Sequence, residues 1–240
     1  MISAFKPVAQ QMRENFPSDT HPDRVLERAV RRLLPPGGTV LDIGCGRTAP
    51  DLIKLTDRAG ALYGIDLVDF TVEHPGLHLF NTDVGAMPEI ADASIDVAYS
   101  RAVMEHLQDP RAACIEIARV LKPGGVYLFT TPSLYDYGTM IAAVVPNRWH
   151  GRIVHATEGR AEEDVFPTVF AANSRKAVTA HAEAAGLIVR EFAYLGQYPN
   201  YFVFNRMLFW LGSLYQKTIE RFTLTQPLQG WIYCVLEKPA

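Results

Sequence analysis

The sequence predicts an α/β fold in which a mostly parallel sheet carries helices on both faces. Short apolar runs bounded by turn residues alternate with segments of helical spacing, and one well-capped helix lies between two such runs as in a βαβ unit. The 240 residues, 48% of them hydrophobic, are enough to bury the core such a fold requires.

The elements follow in chain order. Across 21–34, Val25, Leu26, Ala29, Val30, Leu33 and Leu34 recur at helical spacing with Arg24, Glu27, Arg28, Arg31 and Arg32 between them. Pro22 suits the first turn. Pro35-Pro36-Gly37-Gly38 stops the helix, because proline lacks a donor N–H and glycine loosens the backbone. From Thr39 the period changes, and residues 40–43, 61–65, 77–80, 95–99 and 126–131 read as buried parallel strands. Between the last two, Asp109 offers a helix N-cap and Pro110 a first position, and 111–121 is a helix closed by Lys122-Pro123-Gly124-Gly125. A further helix starts near Asn173-Ser174, passes through Lys176, Val178 and Ala182, and ends at Gly186 before an apolar run over 187–192. The last strand is 231–236, the seventh.

Connections 132–172 and 195–227 far exceed the usual handful of residues, so they read as insertions after the fifth and sixth strands. The chain is expected to be one domain over 1–240, with a helical extension (1–38), a core (39–131) and these two insertions. They would cover one end of a cleft at the carboxyl ends of the strands, where open α/β sheets bind ligands.

Charge and cysteine usage exclude several classes. A formal charge of −3 and a pI near 6.2 give no overall pull toward a polyanion, so nucleic acid is not an expected partner. Cys45, Cys114 and Cys234 have no CxxC spacing, which speaks against a zinc ribbon or a disulfide framework and suits a reducing cytoplasm. The N-terminus lacks the pattern of a secretory signal. No apolar run reaches the roughly 18 residues needed to span a bilayer.

Val40-Leu41-Asp42-Ile43-Gly44-Cys45-Gly46 places an acid and two glycines at the end of the first strand. Glycines there let the backbone turn sharply and approach a ligand with no Cβ in the way. Asp66 ends the second strand, where a carboxylate can accept from both hydroxyls of a ribose, and Asp83 follows the third.

Residues 39–49, 62–66, Thr82-Asp83-Val84 and 121–125 together resemble the class I S-adenosylmethionine-dependent methyltransferases, with the type 11 group closest, and imply their Rossmann-like fold. The resemblance implies that Asp42 serves the amino end of the cofactor's methionine portion, Gly44 and Gly46 line the cofactor, Asp66 holds the ribose and Asp83 the adenine. Cys45, Leu67 and Val84 beside them, with Ser100 and Arg101 after the fourth strand, complete the expected cofactor-lining set. One departure is Thr48, where the family often carries a third glycine. A nicotinamide-dependent oxidoreductase fits less well, since the third glycine of GxGxxG is present only as Ala49 and Asp42 has no role in that fingerprint. A non-catalytic cofactor-binding or scaffold protein is the alternative of another class.

A sulfonium methyl is already electrophilic, so the implied protein task is to hold an acceptor in line and exclude water. A hydroxyl acceptor, the one favoured here, also needs a base. The candidates are His150 and His155, in the first insertion with Tyr135, Asp136, Tyr137 and Glu158, and His106 after the fourth strand. For His106, an imidazole bonding backbone at a turn is the competing expectation. No metal-ligand pattern is complete. Tyr99-Ser100-Arg101-Ala102 stands where nucleic-acid N-methyltransferases carry an Asn/Asp-Pro-Pro-aromatic motif, which points to a small-molecule acceptor. Residues 201–222 are dense in aromatics at helical spacing, as expected for packing, an apolar acceptor pocket, peripheral membrane contact or a homodimer.

Overall fold

The computed structural model describes residues 6–137 and 166–240. Among these, seven strands form one sheet: β1 (Thr39–Ile43), β2 (Ala61–Asp66), β3 (Leu77–Asn81), β4 (Ile95–Arg101), β5 (Leu121–Pro132), β6 (Ile188–Leu195) and β7 (Trp231–Glu237), in the order β3-β2-β1-β4-β5-β7-β6. β1 to β5 pair in parallel, and β7 runs antiparallel between β5 and β6. The expected seven-stranded, mostly parallel α/β fold is found.

Strand side chains alternate between faces, and the apolar runs therefore feed two cores. Val40, Val97, Leu128 and Val235 pack with Leu26 and Val30 of α2 (Pro22–Leu33) and Leu52 of α3 (Pro50–Ile53). Leu41, Ile43, Tyr127 and Phe129 pack on the other face with Ile117 of α4 (Pro110–Val120) and Val178 of α5 (Arg175–Ala184). Two of the expected caps are in place: Asp109 accepts from Ala112 N–H at 3.0 Å and Ser174 from Ala177 N–H at 3.3 Å.

One boundary differs from expectation, and the extension and second insertion gain detail. The α4 helix stops at Val120, and Leu121 already pairs with Ile95. The Lys122–Gly125 turn is absorbed as an irregularity inside β5, made possible by Gly124 at φ +77°. The N-terminal extension holds a separate helix, α1 (Val8–Asn15), whose Gln11 is fully buried. The second insertion is largely helical, with α6 (Arg206–Arg221) capped by Asn205, which accepts from Met207 and Leu208 N–H.

Candidate active site

The carboxyl ends of β1 and β2 are joined by the glycine loop. Gly44 and Gly46 have φ of +76° and +72°, a region costly to residues with a Cβ. The N–H groups of Gly44 and Cys45 both donate to the Ile65 carbonyl, at 2.8 and 3.2 Å, stitching the loop to β2. The two glycines do different jobs. A methyl on Gly44 would sit 2.5 Å from Val103 Cγ2, whereas one on Gly46 would meet nothing within 4 Å. Gly44 thus permits packing, and Gly46 keeps open ground at the strand ends. Gly44→Ala is expected to lose about 2 kcal/mol of stability through overpacking and Gly46→Ala about 1 kcal/mol through backbone strain. Thermal unfolding of the two variants checks the ranking, and only Gly46→Ala should add a ligand-binding defect beyond its loss of stability.

Asp66 closes this loop from below. Its Oδ2 accepts from Gly46 N–H at 2.7 Å, and its Oδ1 from Leu67 and Val68 N–H at 2.7 and 3.2 Å. A carboxylate has about four acceptor positions, so one is left. Leu67 beside it is 54% exposed. Asp83 is exposed, with Oδ1 accepting from Gly85 N–H at 2.7 Å.

Asp42 is buried, and Tyr99 OH donates to its Oδ2 at 2.8 Å. Burial pushes its carboxyl up to about 7, with the Tyr99 bond opposing and the negative charge of Asp51 reinforcing. Arg101, at the end of β4, pairs with Asp51 at 2.7 Å and Asp23 at 3.3 Å, tying α3 to α2.

Several expected lining residues turn elsewhere. Ser100 is fully buried, its hydroxyl 2.6 Å from Tyr127 OH on the opposite face from Arg101. Strand alternation forbids both from facing one cleft, and the partner of Arg101 there is Tyr99. The Cys45 side chain is buried under the loop against β2, where burial pushes its thiol up, and Val84 is buried in the core. Thr48 is exposed, and the loop takes its left-handed step one residue later, at Ala49 (φ +42°).

Of the expected bases, His106 places Nδ1 3.1 Å from the Pro167 carbonyl and its ring edge-on to Phe166. It anchors the returning end of the first insertion, the backbone role weighed as its alternative. Beside it Glu105, not singled out in the sequence, is buried and accepts from Thr131 Oγ1 at 2.9 Å. His150, His155 and Glu158 lie outside the described residues. Among the described residues, no group of three or more His, Cys, Asp or Glu could hold a metal.

A cavity of about 690 Å³ opens beside Asp42, within the usual range for small-molecule sites. Its walls come from α1, α2, α3 and the turn after β6, including Phe16, His21, Leu26 and Tyr198, and Tyr99 and Arg101 reach it from β4. Tyr99 therefore touches both the cavity and Asp42.

These features fit a cationic nucleoside cofactor. Gly46 leaves room, Asp66 retains an acceptor position beside an open apolar side chain, and a buried carboxyl waits for positive charge. Residues 41–129 match the family described as "Methyltransferase domain". This segment is a class I S-adenosylmethionine-dependent methyltransferase domain of the type 11 kind. The Mycolicibacterium smegmatis protein named "Probable S-adenosylmethionine-dependent methyltransferase" is 34% identical over 128 residues, covering 51% of this chain and 48% of its own. A ubiquinone biosynthesis O-methyltransferase of Idiomarina loihiensis is 32% identical over 106 residues, covering 40% and 42%. The chain thus spans about half the length or less of these relatives. Among solved structures, the methyltransferase in complex with the Haloferax volcanii Trm112 activator superposes with a TM-score of 0.59 at 19% identity, over 97% of this chain and 94% of that one. The methyltransferase domain supplies the strand ends on which Asp42, Gly44, Gly46 and Asp66 converge.

Proposed function

We propose that the protein, as one methyltransferase domain over 1–240, transfers a methyl group from S-adenosylmethionine to a small, largely apolar molecule, with oxygen the favoured acceptor atom. The observation that carries this is Tyr99, which bonds the buried Asp42 on one side and lines the cavity on the other. The cofactor supplies an electrophilic methyl; the chain's residues bind, orient and keep water out. Asp66 would hold the ribose, Gly46 and Leu67 the adenosine face, Asp83 the adenine edge and Asp42 the amino end. Phe16, Leu26 and Tyr198 would seat the acceptor against Tyr99. His150 and His155 remain the proposed bases.

The three cysteines, all buried and free, support a reducing, cytoplasmic setting.

Calorimetric titration with S-adenosylmethionine, S-adenosylhomocysteine and NADH tests the cofactor. Binding of the two sulfur ligands alone is expected; NADH alone would overturn the class, and no binding would put the scaffold reading first. Once an acceptor is found, Tyr198→Ala should raise its KM about tenfold, as for a lost packing contact of 1–2 kcal/mol, and leave cofactor Kd unchanged. A changed cofactor Kd with unchanged KM would show that the cavity is not the acceptor site.

A further inference from the structure

The α6 helix turns a mixed face inward and an apolar strip outward. Phe209, Ser213, Gln216 and Ile219 are buried toward the protein, and Phe209 packs edge-on to Phe16 of the cavity wall with ring centroids 6.3 Å apart. The opposite face exposes Met207, Leu211 and Leu214 at spacings of four and three, with Phe204 before the helix and Phe222 and Leu224 after it. Phe204 is 78% exposed and Leu224 95%. Arg206 and Arg221 are exposed at the two ends, and neither makes an ion pair among the described residues. The helix's single acid, Glu220, is engaged by Gln216 and Lys217.

We infer that this face docks on an anionic lipid surface. Its chemistry matches an interfacial helix: an apolar strip to enter the headgroup region and cations at both ends for the lipid phosphates. A second copy of the chain fits less well. Two such faces laid together would oppose arginines with no free carboxylate on the helix to receive them. A strip roughly 24 Å long on a 16-residue helix offers a few hundred Å², short of the roughly 800 Å² per partner of a stable interface. The helix lies on the surface and does not cross it, since no described helix is long and apolar enough to span a bilayer. Because its inner side backs the cavity wall, docking would set the acceptor cavity close to the lipid; this last step rests on the methyl-transfer reading, and docking itself does not.

Sedimentation of the full chain with phosphatidylcholine vesicles, with and without phosphatidylglycerol, tests it. The protein should pellet with the anionic vesicles and bind the neutral ones at least tenfold more weakly. Met207→Asp/Leu211→Asp should abolish binding, and Arg206→Gln/Arg221→Gln should weaken it about tenfold, with melting temperatures and S-adenosylhomocysteine affinity unchanged. The inference is overturned if the wild type stays in the supernatant with both vesicles. It is overturned equally if Leu211→Cys forms a disulfide-linked dimer and the wild type elutes as one, which would assign the face to a second copy.

Discussion

Asp66→Asn should weaken S-adenosylhomocysteine binding about a hundredfold, or about 3 kcal/mol, in a protein that still folds. The substitution keeps shape and removes charge, and every neighbour that Asp66 serves is a donor: Gly46, Leu67 and Val68 N–H. An amide has one acceptor oxygen, and its NH₂ must then oppose one of these backbone donors. The glycine loop keeps its Gly44 and Cys45 bonds to Ile65 but its Gly46 tie to Asp66 is weakened, at the point where the ribose would bind. Asp66→Ala should do the same with a smaller local clash. Calorimetric titration beside a circular dichroism melt measures both, and an unchanged dissociation constant in Asp66→Asn would remove Asp66 from the cofactor site.

The second large effect is a trade of stability against binding at Asp42. Burial raises its folded pKa from 3.8 to about 7, so between those values the folded protein holds a proton that the unfolded chain releases. The stability this proton brings is full at acid pH and is lost as pH rises through about 7. Asp42→Asn, which cannot ionise, should therefore be more stable than wild type at pH 8 by up to about 4 kcal/mol, roughly 8–16 °C in Tm, and the gap should close toward pH 4. Binding moves the other way. The charged carboxylate attracts a cationic ligand, so wild-type affinity for S-adenosylmethionine should rise from pH 6 to pH 8 while that of Asp42→Asn stays low and flat. A variant that melts below wild type at pH 8 would contradict the assigned burial penalty.

Much of the fold was legible because local rules and tertiary packing agree. The seven apolar runs are strands, and Asp109 and Ser174 cap the helices they announce. The structure separates side chains of residues that stand adjacent in the sequence. Ser100 and Arg101 stand side by side in β4, and the period of two sends one into the core and the other toward the cleft. Applying that period would have found Tyr99. Cys45 and Val84 likewise stand beside Gly46 and Asp83, and their side chains pack inward. The cavity was not legible at all. Phe16, Leu26, Tyr99 and Tyr198 are brought together only by the sheet order, and no local signal marks a wall built from such distant segments.

The shortness of α3 has an electrostatic consequence. Folds that bind dinucleotides set the pyrophosphate against a helix whose aligned peptide dipoles place partial positive charge at its start. Here the helix after the glycine loop is four residues, a single turn, and its first turn carries Asp51. Little macrodipole can build over one turn, and the Asp51 carboxylate in it is paired with Arg101 and Lys54. Asp42 and Asp66 stand at the neighbouring strand ends, so the loop lacks the partial positive charge of a long helix start on which a pyrophosphate is seated. A pyrophosphate would find no extended helix start to cradle it here, whereas the buried Asp42 carboxyl stands where it could answer a cationic group.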